Sequence, residues 1–399
     1  MNPLHEAFLA VLRSALRGQR FVPDRELNGE EWNTLLRMAS EHKLLPLFFE
    51  AAQPLMPQTI AAPPKQQLRR QVILQTVRTK EFLELNRRLR AAGLTPLVVK
   101  GIVCRELYPK PDHRPSADED VLIPPEQLEP CRRILEEFGM STDETDPDAY
   151  EFPYRRAGSP LYIELHRSLF PPKSEAYGDL NGYFGDPFRL TSEVEVQGQQ
   201  VLTMHPTDHM AYLIFHAFKH FLHSGFGIRQ VCDILLFAER YDEFIDWEWV
   251  RLSCRSIRAE KFAAALFRIG TEHLGFAPIE PWQELSVDEL PLLADVLGAG
   301  VYGSADAERL HSSAITLEAV ASEKQERRAK NSVLLSLFPP AGKMEGRYPW
   351  LKERPWLLPA AWLGRMAGYL RKRRDTSAAG ALQVGTERIA LLKQYDILN

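Results

Sequence analysis

The stretch that most constrains this chain runs over residues 94–122, LTPLVVKGIVCRELYPKPDHRPSADEDVL. An apolar triplet, Leu97, Val98 and Val99, reads as a buried strand. Lys100-Gly101 makes a tight turn, residues 102–108 read as a short helix, and a proline-rich loop leads into a second strand carrying Asp118 and Asp120. Side chains two apart on a strand share a face, so both aspartates are expected to point the same way. Two like charges so close repel unless a cation lies between them. Hard oxygen ligands of this kind suit Mg²⁺, which commonly takes one or two carboxylates plus substrate phosphates. The turn is expected to supply the complement. Gly101 lets backbone approach a ligand closely, and the helix after it presents N–H groups that favour phosphate.

A third carboxylate is expected from a neighbouring strand. LYIELHRSL, residues 161–169, alternates cleanly: Tyr162, Glu164 and His166 on one face, Leu161, Ile163 and Leu165 on the other. Glu164 is the candidate. This order of parts resembles a known family. VVKG, the pair Arg114-Pro115, D-x-D before the apolar VLI, and E-x-H on a later strand resemble the bacterial nucleotidyltransferases of the DNA polymerase β-like superfold. More narrowly, they resemble a poorly characterised branch with Lys-Gly in place of the usual Gly-Ser turn. The resemblance runs from about Trp32 to the region near Tyr348.

That resemblance implies an α+β fold with a small mixed sheet flanked by helical regions. It implies Mg²⁺-dependent transfer of a nucleotidyl group from an NTP to a hydroxyl-type acceptor, with two ions, Asp120 bridging them. Asp118, Asp120 and Glu164 are then metal ligands and catalytic residues, and Glu164 also orients or deprotonates the acceptor. Lys100, Gly101 and Arg114 are the nucleotide-binding set. Lys100 either holds the triphosphate or pairs with Asp118. Arg114 is either a phosphate clamp or half of a loop salt bridge. His166 is either a structural histidine or a base. Two other readings stand beside this one: phosphoryl or nucleotidyl modification of a peptide or protein, and a catalytically inactive nucleotide-binding or regulatory protein.

Composition narrows the field. Lys plus Arg number 49 and Asp plus Glu 53, for a formal net charge of −4. A general nucleic-acid binder carries a basic excess, so that class is disfavoured. Four cysteines without a C-x-x-C pattern point to a reducing compartment and buried thiols. The start, MNPLHEAFLAVLRSALRGQ, reads as an amphipathic helix rather than a signal peptide, and a cytoplasmic protein is the expectation.

In order, residues 1–92 read as a helical region. Asn28 caps its second helix, a long third helix follows Pro63-Pro64, and Gly93 closes it. Residues 93–205 form the nucleotidyltransferase-like core. It has a helix over residues 126–138, a hairpin turning near Gly158-Ser159-Pro160, an irregular loop over the active face and a second hairpin at Gln197-Gly198. Residues 206–340 are helical again, with Thr207 as first cap. There, His216, His220 and His223 fall on one helical face, and Arg229 and Asp233 on the next helix. The histidines have metal-site spacing with Asp233 as a fourth ligand. Their other reading is a substrate cleft or buried network made by His166, His216, His220, Arg229 and Asp233. Residues 341–399 form a Trp-rich tail with the basic run RKRR and a last helix. That tail reads either as a packed helix or as a peripheral contact with an anionic membrane.

Overall fold

The structure, a computed structural model, describes residues 1–172, 174, 176–300, 316–317, 319–321, 344, 348–351, 353–362, 364 and 378–398. The basic run at 371–374 and most of 301–347 lie outside the described residues. The fold is α+β, as expected. Among the described residues, no helix is long and apolar enough to cross a membrane.

Helix α1 (Pro3–Leu16) buries Phe8, Leu9, Val11, Leu12 and Leu16. Helix α2 (Gly29–Glu41) starts at the capping box the sequence announces. The Asn28 side chain accepts from the N–H groups of Glu30 and Glu31, and the Glu31 carboxylate accepts from Asn28 N. Helix α3 (Leu45–Ala52) follows, with Pro46 in its first turn. Helix α4 (Gln58–Ala91) begins before Pro63-Pro64 rather than after them. Both prolines fall in its second turn, so the helix forgoes the two bonds their N–H groups would have given to the Thr59 and Ile60 carbonyls.

The central sheet has the order β1-β2-β4-β3. Strand β1 (Leu97–Val99) runs antiparallel to β2 (Glu119–Leu122), and between them lies the short helix α5 (Gly101–Arg105). Helix α6 (Leu128–Glu137) follows β2 and ends at Gly139, φ +84°. Strands β3 (Glu151–Arg155) and β4 (Tyr162–His166) form the expected hairpin, and β4 pairs parallel with β2. The register sets Asp120 opposite Glu164 and Leu122 opposite His166. A second hairpin, β5 (Thr191–Val196) and β6 (Gln199–Met204), lies beside β1, and the Thr203 hydroxyl donates to the Val98 carbonyl at 2.6 Å.

Helix α7 (Pro206–Leu222) is capped by the His205 ring, which accepts from Thr207 N; Thr207 is not the cap. Helices α8 (Ile228–Tyr241), α9 (Trp247–Ser256), α10 (Glu260–His273), α11 (Glu280–Gln283), α12 (Leu290–Ala299) and α13 (Ala378–Gln394) complete the described elements. One apolar cluster joins α1–α3 to α7–α10 and α12, so the first and last helical segments share a core. A second joins α4 and α6 to the sheet. The irregular segment before β5 is packed down. Phe170 stacks with Phe184, and Phe184 meets Phe215 of α7 edge-on.

Candidate active site

Parallel pairing of β2 with β4 brings carboxylates from distant sequence to adjacent positions. Asp120 is buried, and each of its oxygens meets a nitrogen: Lys100 Nζ lies 3.1 Å from Oδ2, and His166 Nε2 lies 3.2 Å from Oδ1. Glu164 stands on the same face, its Oε2 3.8 Å from His166 Nε2 and its side chain 24% exposed. The cluster therefore meets solvent through Glu164. A cavity of about 390 Å³ lined by Ala15, Arg20, Glu50 and Lys110 belongs to a different part of the surface.

Asp118 is placed differently from expectation. It precedes β2 rather than lying on it, and is half-buried. Among the described residues, the group whose ligand atoms lie within 4.8 Å of one another is Asp120, Glu164 and His166. Asp118 is outside that group, yet its charge still helps raise the Glu164 carboxyl. The larger cause there is burial. On Asp120, the Lys100 and His166 charges overcome burial and hold the carboxyl well below its usual range. His166 rises to about 9 because its bonds to Asp120 and Glu164 outweigh burial. A protonated His166 and the Lys100 ammonium thus neutralise the acidic pair from within.

The backbone of Lys100 is unusual. It sits at φ +55°, ψ −126°, a region that L side chains rarely adopt. Its N–H donates to His209 Nε2 at 3.3 Å, and His209 Nδ1 meets the Thr203 hydroxyl at 3.2 Å. That hydroxyl donates to Val98 O, so His209 Nδ1 carries the proton and Nε2 is the acceptor. Burial pushes His209 down to about 3, which keeps it neutral. The Lys100 ammonium is held by His216 Nε2 at 3.1 Å and by the Tyr212 ring at 5.9 Å, as well as by Asp120.

Gly101 has a reason internal to the chain. A Cβ there would meet Glu119 Oε2 at 2.1 Å. Glu119 is fully buried, accepts from Ile102 N at 2.7 Å and pairs with Arg105 Nη1 at 2.7 Å. The α5 amine end, expected to bind phosphate, is thus already capped by a carboxylate of the protein. Arg114 is corrected as well. It is buried, and gives Nε and Nη2 to the two oxygens of Asp233 at 2.9 and 2.6 Å. Tyr108 adds its hydroxyl to Asp233 at 2.8 Å. Those donors are spent on α8, so the salt-bridge alternative for Arg114 describes it. Asp233 in turn has no share in the histidine face. Arg229, buried beside it, donates to Pro115 O. Arg229 and Asp233 anchor the loop before β2.

The histidine face divides. His216 and His220 approach with Nε2 atoms 3.2 Å apart, and burial holds both far below the usual imidazole value. His223 turns away toward Tyr177, ring centroids 6.3 Å apart. Among the described residues, His216, His220, His223 and Asp233 do not form a ligand group; His216 instead extends the Lys100 network.

Three functional side chains escaped the sequence reading. Arg105 follows the apolar run Ile102-Val103-Cys104, and that placement was the available signal; Glu119, between two aspartates, carried none. Lys219, in the H-x-x-K-H run of α7, feels the charges of Lys100, Glu151, Asp120 and Glu164. Burial, then Lys100, lowers it. Its ammonium lies 6.0 Å from the Phe170 ring.

The ligand set suits a divalent ion. Ligand atoms of Asp120, Glu164 and His166 lie within 4.8 Å of one another, and the cluster can bind a metal through its two carboxylates, with His166 joining them once its ring gives up a proton. In comparisons with known proteins, the family model described as "Uncharacterised nucleotidyltransferase" matches residues 28–275, more than half of the chain. Searches of curated proteins and of solved structures returned no match.

Proposed function

The chain belongs to this family of uncharacterised nucleotidyltransferases, and from that premise we propose that it transfers a nucleotidyl group from an NTP to an acceptor hydroxyl, with Mg²⁺, at the Asp120–Glu164 cluster. The observation that carries the reading is the β2–β4 register, which sets the two carboxylates side by side at a solvent-reached edge. Asp120 and Glu164 would hold the ion, with Asp118 next to them. A divalent ion there supplies polarisation of a phosphoryl oxygen and neutralises developing charge.

The protein's part is positioning. Glu164, raised by burial and by its acidic neighbours, accepts the acceptor's hydroxyl proton. The acceptor oxygen forms a bond to the α-phosphorus. The bond from that phosphorus to the bridging oxygen breaks, and pyrophosphate leaves with the electron pair. Lys219, whose ammonium feels the charges of Asp120 and Glu164, takes the phosphate-binding role in place of Arg114, which is buried and paired with Asp233.

A regulatory nucleotide-binding role is the second reading. It is favoured by the internal neutralisation of Asp120 by Lys100 and His166. Thermal shift with each of the four NTPs, with and without Mg²⁺, and pyrophosphate release over an acceptor panel separate the two. The enzyme reading expects a metal-dependent shift and release; Asp120→Asn plus Glu164→Gln abolishes the shift and lowers release by about 100-fold. A shift without release from any acceptor supports the regulatory role. No shift with any nucleotide sinks both.

A further inference from the structure

Superposed on the reading above, the geometry at Asp120 points to a site built for one divalent ion, in which the Lys100 ammonium permanently fills the place of a second. We propose that Lys100 is a fixed counter-cation and that the resting and nucleotide-bound protein never carries an ion pair bridged by Asp120. The inference rests on the proposed activity for its context and departs from the two-ion expectation of the sequence.

Both Asp120 oxygens are committed to nitrogen donors, Oδ2 to Lys100 Nζ at 3.1 Å and Oδ1 to His166 Nε2 at 3.2 Å. A carboxylate that bridges two ions must give one oxygen to each. Here the Oδ2 side is taken by a positive charge fixed by the chain. Glu164 lies on the Oδ1 side, near His166, where the ligand-capable cluster converges. An ion entering beside Glu164 takes Oδ1 over from His166, whose ring belongs to the same ligand-capable cluster, whereas the Oδ2 side stays with the ammonium.

The lysine is set in place rather than loosely tethered. His216 Nε2 accepts at 3.1 Å, the Tyr212 ring lies beneath it, and its side chain is 15% exposed. His216 is neutral, so it accepts without competing for the carboxylate. The backbone supplies the strongest argument. At φ +55°, ψ −126° a glycine would sit without strain, whereas a lysine there costs about 1–3 kcal/mol. His209, fixed in one tautomer by Thr203, holds the N–H of this strained residue. The strained backbone directs the Lys100 side chain to Asp120, where its ammonium meets Oδ2. A point charge on a flexible stem suits this task, since it can neutralise an oxygen but offers no coordination geometry of its own.

The test counts ions on the full chain. Mn²⁺ binding is measured by equilibrium dialysis and by electron paramagnetic resonance, with a mixture of the four α,β-methylene NTP analogues at saturation. The wild type is expected to retain one Mn²⁺ per chain and to show no Mn–Mn dipolar coupling. Lys100→Met is expected to retain two and to show the coupling. Two coupled ions in the wild type overturn this inference and leave the nucleotidyltransferase reading standing. No retained Mn²⁺ in the wild type overturns both. The wild-type count decides the matter even if Lys100→Met fails to fold, and Lys100→Arg, which keeps the charge, is expected to stay at one ion.

Discussion

Gly101 lacks a side chain because Glu119 fills the space where one would stand. The glycine adopts φ +34°, and an added Cβ would fall 2.1 Å from Glu119 Oε2, which accepts from Ile102 N, while the other oxygen of the same carboxylate accepts from Arg105. Gly101→Ala must therefore displace a buried ion pair or bend the turn. It is expected to lower unfolding free energy by about 3–5 kcal/mol, the usual effect of breaking a buried pair. Urea denaturation followed by far-UV circular dichroism measures it; a loss below about 1 kcal/mol would show that Glu119 moves freely. This residue also shows the reach of the sequence. D-E-D flanked by apolar residues told where the acidic strand was, and alternation told that Asp120 and Glu119 face opposite ways. It did not tell that the middle carboxylate turns inward, because that depends on Arg105 arriving from α5. The aspartate before it was read onto the strand because spacing alone cannot mark a strand's first residue.

Between elements, the loop before β2 is tied to α8 by the Arg114–Asp233 pair. Both side chains are almost fully buried, and Tyr108 closes the third side. Removing one partner leaves a charge without compensation. Arg114→Met and Asp233→Asn are each expected to cost about 3–5 kcal/mol, while Arg114→Met with Asp233→Leu recovers most of it. Equal losses in single and double variants, by the same denaturation assay, would contradict the pairing. No spacing rule could have found this contact, since its partners are separated by the whole sheet and α7. What was legible between elements followed local chemistry: the Asn28 cap, the two hairpin turns and Glu164 on a strand neighbouring the aspartates. The misread boundaries have the same origin. Pro63-Pro64 looked like a helix start, yet the helix already begins at Pro57, whose carbonyl accepts from Ile60 N and Ala61 N, and continues through the two prolines.

Across the whole molecule, buried neutral histidines set the response to acid. His42 bonds the Leu297 carbonyl at 3.1 Å, and burial pushes it down to about 4; His209 falls to about 3 for the same cause. The unfolded chain takes these protons first, near pH 6.5, so stability is full above that value and is lost as pH falls toward 4 and 3. Each histidine contributes a slope of up to about 1.4 kcal/mol per pH unit in that window. Unfolding free energies at pH 7, 6 and 5 should fall in sequence. His42→Asn with His209→Gln should flatten the trend, and a wild-type value constant from pH 7 to 5 would refute it. His166 acts in the opposite sense, since its raised value gives stability that is full below about 6.5 and is lost as pH climbs from there through about 9. The same scale shows what the β5–β6 hairpin does beyond supporting His209. Strand β1 ends the sheet, and its outer backbone would otherwise stand ready to recruit a strand from another molecule. With Thr203 bonded to Val98 O, that rim is closed, so a chain trimmed of the hairpin would be inclined to stack with its own kind.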